Sequence, residues 1–130
     1  MFSAPNGTPR IKRAWLSNDT NGTPPGNSEI GTLYTDASYI KNVVKYTSEE
    51  DIHGTHVLGI AAGTEIKGNV STYSGVAPKS DIAIVELGGY NNDDNYSFDI
   101  SLLEGINYLL SYADSVEKLI VINMSLGHRG

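Results

Sequence analysis

His53-Gly54-Thr55-His56-Val57-Leu58-Gly59-Ile60-Ala61-Ala62-Gly63 joins two histidines to a tail of small and apolar residues. Val57, Leu58, Ile60, Ala61 and Ala62 lie at spacings that predict a helix. Gly63 predicts its end, because glycine readily takes the left-handed conformation just past a last turn. His53 then stands where a loop enters the helix, and Gly54 permits close backbone approach. An imidazole ordinarily titrates near ~6.5, so a histidine on such rigid support suits a general base that activates a hydroxyl. Chemistry alone leaves cap, core residue and base all open.

Downstream the pattern alternates. Ile82 to Leu87 (IAIVEL) follows the turn Gly75-Val76-Ala77-Pro78 and predicts a mostly buried strand, since nearly every position is apolar and the run is too short for a helix. Ser97 or a neighbour caps a predicted helix in which Leu102, Leu103, Ile106, Leu109, Leu110 and Ala113 recur at three and four spacing, with Gly105 a mild cost inside it. Leu119 to Met124 (LIVINM) predicts a second buried strand. Strand, helix and strand at this spacing form a βαβ unit, so the fold class expected is α/β with a parallel sheet and flanking helices.

Upstream the chain is less regular. Ile11 to Leu16 reads as a short strand, and Asn18 to Gly31, dense in Asn, Gly, Pro, Ser and Thr, reads as a long surface loop. Thr35 can cap a short helix placing Ile40, Val43 and Val44 on one face. Residues 1–48 are therefore expected to be an irregular segment and 49–130 a patterned core.

Composition excludes several classes. The 130 residues carry 9 Lys+Arg against 15 Asp+Glu, a formal charge of −6. That balance offers no footprint for a phosphate backbone, so no nucleic-acid partner is expected. No apolar run approaches the roughly 20 residues that cross a bilayer, so no membrane partner is expected either. The absence of Cys removes disulfides and thiolate catalysis. His53 and His56 are three apart with Thr55 between, whereas the zinc-peptidase pattern needs a spacing of four with a Glu inside. The segment Glu65 to Ser74 has too few carboxylates for a strong calcium cage. No metal and no cofactor is expected.

Three motifs in register carry a resemblance. HGTHVLGIAAG (53–63) resembles the histidine signature of the subtilisin-like serine peptidases, usually HGTHVAG, with Leu58 in place of the usual Ala. Gly75-Val76-Ala77-Pro78 resembles the family's G-V-A-P, and Val121 to Gly127 its V-I-N-M-S-L-G strand. Arg10-Ile11, Trp15, Gly31-Thr32 and Tyr34-Thr35 faintly resemble a bacterial subgroup with a long insertion before the histidine. The resemblance implies a doubly wound parallel sheet. It implies that His53 is the general base, that His56 is a buried structural residue, and that Ser125, Leu126 and Gly127 form the edge that pairs with an extended polypeptide substrate. Gly127 would leave room for a substrate side chain.

The departures define what kind of piece this is. Nothing before His53 has the family's D-T-G or D-S-G form; Thr35-Asp36-Ala37 lacks the apolar run, and Asp36 reads as a first-turn helix residue. Asp51 reads as a solvated charge. No G-T-S-M-A nucleophile context follows, and Ser125 sits in the substrate-edge motif. The expectation is a middle slice of a catalytic domain, inactive alone, from a serine endopeptidase; the alternative is a non-catalytic peptide-binding relative. The resemblance puts the family's aspartate strand between the strands matching Ile82 to Leu87 and Leu119 to Met124, so either these two strands pair directly or copies of the chain associate, the second being the expectation here. Met1 is followed by no basic or apolar leader, although the resemblance implies a secreted or cell-envelope parent.

Overall fold

A computed structural model describes residues 2–26, 28–40, 53–68, 72–87 and 98–126. It is mixed α/β with a parallel strand pair, and divides into two units.

One unit comprises Arg13–Thr35 and Ala83–Asn123. Its sheet has the order β2-β1-β5, from β1 (Ile11–Leu16), β2 (Thr32–Tyr34) and β5 (Ile82–Glu86). β2 runs antiparallel to β1 with Trp15 opposite Leu33. Trp15 is buried, its Nε1 donates to Ile30 O at 3.1 Å, and its ring meets Tyr108 edge-on at 5.9 Å. That arrangement satisfies the indole's single donor while burying its large apolar body. Gly31 makes the entry into β2 possible: its φ is 82°, and a Cβ there would lie 2.5 Å from Leu16 O.

The Asn18 to Gly31 stretch is a loop, as its composition predicts, but not wholly a surface one. Asp19 is buried, and its carboxylate accepts from Asn21 N at 3.0 Å, Asn21 Nδ2 at 2.6 Å and the Tyr34 hydroxyl. Thr32 Oγ1 donates to Asp19 O and accepts from Gly22 N, both at 2.9 Å. These bonds offset the cost of removing a carboxylate from water and pin the loop to β2.

α3 (Phe98–Ser115) carries the predicted stripe. Gly105 has a packing reason: a Cβ there would lie 3.0 Å from Val85 Cγ1, so the helix backbone can approach β5 closely. The helix ends with Glu117 at φ 53° and bonds from Glu117 N to Asp114 O and Lys118 N to Ala113 O. This is a left-handed C-terminal cap built without glycine, at a cost of about 1–2 kcal/mol.

Leu119 to Met124 is not a strand. Residues 118–126 form neither helix nor strand, and Leu119 and Val121 are 103% and 95% exposed. An apolar run becomes a strand only when a neighbour accepts its N–H and C=O groups. The expected βαβ unit is therefore β5 and α3 followed by an unladdered tail.

The other unit comprises Met1–Lys12, Asp36–Ile82 and Met124–Gly130. It contains α1 (Ala37–Ile40), α2 (His53–Ala62), and the two-stranded β3 (Ile66–Lys67) with β4 (Thr72–Tyr73). The cap of α1 is Asp36 rather than Thr35: its Oδ1 accepts from Tyr39 N at 3.3 Å, and its carbonyl accepts from Ile40 N. Val43, Val44 and Asp51 lie outside the described residues.

Candidate active site

The first helical residue of α2 is His53, exposed at the end of a ten-residue helix. Its Nε2 lies 3.3 Å from the Ser125 carbonyl oxygen. With Nε2 protonated the ring donates to that carbonyl; with Nδ1 protonated, Nε2 keeps a lone pair that can take a proton. Two of the motifs separated by 72 residues are thus adjacent. Leu126 is exposed beside them, and Gly127 lies outside the described residues.

What holds α2 is at its other end. A helix leaves its last four carbonyls without partners from its own interior, and here each is accounted for. Gly59 O accepts from Gly63 N at 2.9 Å, Ile60 O from Val76 N at 3.0 Å and Ala61 O from Ala77 N at 2.8 Å. Ala62 O accepts from the Arg10 guanidinium at 2.8 Å. Gly75 N donates to Gly63 O at 3.0 Å. The Gly75-Val76-Ala77-Pro78 turn is therefore the clamp on the helix end.

Gly63 and Gly75 make that clamp possible, Gly63 for a reason other than the expected one. Gly63 is not left-handed; the positive-φ glycines among the described residues are Gly7, Gly26 and Gly31. A Cβ on Gly75 would sit 2.4 Å from Gly63 N, and one on Gly63 would sit 2.4 Å from Gly59 O. Close backbone approach, not a special dihedral, demands glycine at both.

His56 is exposed rather than the buried residue the resemblance implies. It lines an open hollow of about 500 Å³ with Ile60, Ile66 and Tyr73, all exposed. Among the described residues no side chain covers the face of α2 one turn after His53, which leaves the second imidazole in water. Among the described residues no three His, Asp or Glu side chains converge where they could hold a metal ion. The sequence marks Arg10 only by a faint motif resemblance and not as a partner of α2, since an arginine before a strand carries no periodicity that would reveal its bonds.

Comparison with known proteins places this geometry. The model of the subtilase family matches residues 17–130. The major intracellular serine protease of Bacillus subtilis (strain 168) is 37% identical over 81 residues, 62% of this chain and 22% of that protein. A subtilisin of Bacillus sp. (strain TA39) is 33% identical over 101 residues, 78% of this chain and 21% of that protein. The solved CspB protease of Clostridium perfringens superposes with TM-score 0.56 at 28% identity, over 90% of this chain and 23% of its own. The chain spans about a fifth of the length of the curated relatives it matches. A histidine-led helix clamped by a G-V-A-P turn, inside a family match that runs over most of the sequence, means that this chain belongs to the subtilase family.

Proposed function

We propose that the protein of which this chain is a part is a serine endopeptidase, and that residues 1–130 are a slice of its catalytic domain. His53 is the general base that takes the nucleophile's proton and returns it to the leaving amine. Ser125, Leu126 and Gly127 are the edge to which an extended polypeptide adds as a strand, so recognition is main chain to main chain and broad in sequence. The observation that supports this reading is the 3.3 Å approach of His53 Nε2 to the Ser125 carbonyl oxygen.

The test is peptide hydrolysis by the full-length protein with His53→Ala. Turnover is expected to fall about 10³-fold or more; unchanged hydrolysis would overturn the reading in favour of a non-catalytic peptide-binding module. The 130-residue chain, which contains neither a D-T-G run nor a G-T-S-M-A run, is expected to resist labelling by a fluorophosphonate probe. By itself it is expected to associate with copies of itself through its unladdered apolar run.

A further inference from the structure

Arg10 is 3% exposed. Its Nη1 donates to Ala62 O at 2.8 Å and Thr64 Oγ1 at 3.0 Å, its Nη2 to Ala77 O at 3.1 Å and Ser80 Oγ at 3.4 Å, and its Nε to Ser80 O at 2.9 Å. All five acceptors are neutral. A buried guanidinium is costly unless its donors are matched, and here charge-assisted bonds together with the negative end of the α2 dipole offset that cost. The planar fork is what allows one side chain to bridge the helix end and the clamping turn at once; an ammonium on a flexible stem cannot span both.

Geometry makes the helix a lever. Ten residues at ~1.5 Å each give a rod of about 15 Å, with Ala62 at one end and His53 at the other. A tilt of about 5° around the Ala62 end moves His53 by about 1.3 Å, and a misplacement near 1 Å in a reacting group can cost about 10²-fold in rate. We propose that Arg10 is a positioning residue for His53, fixing the aim of the imidazole by locking the far end of its helix to the 77–80 turn. This rests on His53 being the general base. The substrate edge at Ser125 is not part of α2, so the effect falls on kcat and spares KM.

The experiment uses the full-length protein, with rates expressed per folded molecule from near-UV circular dichroism. For Arg10→Ala, kcat on a peptide substrate is expected to fall about 10- to 100-fold with KM within about 2-fold, and added guanidinium ion at sub-denaturing concentration to restore about 3-fold or more. Arg10→Lys keeps the charge without the fork and is expected to stay close to the alanine variant. Thr64→Val removes one acceptor of the fork and is expected to lower kcat by about 3-fold in a folded protein, which keeps the question answerable if the Arg10 variants do not fold. Unchanged kcat per folded molecule in Arg10→Ala, or in Thr64→Val where only that variant folds, overturns the proposal. His53→Ala is measured alongside: if it leaves hydrolysis intact, the reading of His53 and the role of Arg10 fall together. If it abolishes hydrolysis while Arg10→Ala leaves kcat unaltered, only the role of Arg10 falls.

Discussion

Ile82–Glu86 and Leu119–Met124 are similar sequences with different fates. Both are short, mostly aliphatic runs. The first is β5, paired to β1 and covered by α3 where Gly105 meets Val85. The second begins four residues after α3 ends, and its Leu119 and Val121 stand fully in solvent. What differs is the ladder: among the described residues β5 has a strand neighbour, and Leu119–Met124 is in no sheet. The pair shows that an apolar run marks a place a strand can form, while the hydrogen-bonding neighbour decides whether it does.

The largest effect is expected from weakening the partner that β5 enjoys. Trp15→Ala empties the contact between β1 and Tyr108 and leaves the Ile30 carbonyl without its donor, so the 130-residue chain should lose about 3–5 kcal/mol in urea unfolding. Gly105→Val places a branched side chain where even a Cβ lies 3.0 Å from Val85, and overpacking should cost about 1–3 kcal/mol by the same measurement. The opposite arm is Val121→Lys. Because Val121 is already exposed, its stability should stay within about 0.5 kcal/mol of the parent chain, while light scattering should show weaker concentration-dependent association. A large destabilisation there would mean that the run is paired after all.

The smallest effect concerns Tyr108, on the α3 face that covers Trp15. Burial pushes its phenol above the ordinary 10.0, with the Arg13 charge pulling the other way. The unfolded chain therefore releases that proton first as pH rises, and the fold's stability should decline from about pH 10 upward until the folded phenol also ionises. Tyr108→Phe should flatten the decline in a pH series of thermal melts. An unchanged slope would remove Tyr108 from that role.

α2 and α3 were legible from the spacing of their apolar residues. α2 runs from His53 to Ala62 and α3 from Phe98 to Ser115, near where the stripes and glycines place them. β5 was legible as an apolar run and β1 as a short β-like run despite Lys12 and Arg13 within it. β2 was not, because Thr32–Tyr34 is three residues long and owes its place to Gly31, Thr32 and the buried Asp19 rather than to a pattern. Within the site, His53 and Ser125 could be found by motif, and their adjacency is spatial. Arg10 stands in a faint motif resemblance, but its bonding role was not legible, since its partners are backbone carbonyls and hydroxyls, which leave no trace in side-chain type.

The bonds of Arg10 also bear on how the chain folds in time. They join residues 52, 54, 67 and 70 positions apart. A ten-residue helix is marginal by itself in water, so α2 cannot rely on local order to hold its last turn. Each long closure must give up chain entropy before its bond returns anything. The Ala62 end of the His53 helix is thus completed only when the chain has reached the 77–80 turn and brought it back to Arg10, so this corner is expected to form late in folding rather than to seed it.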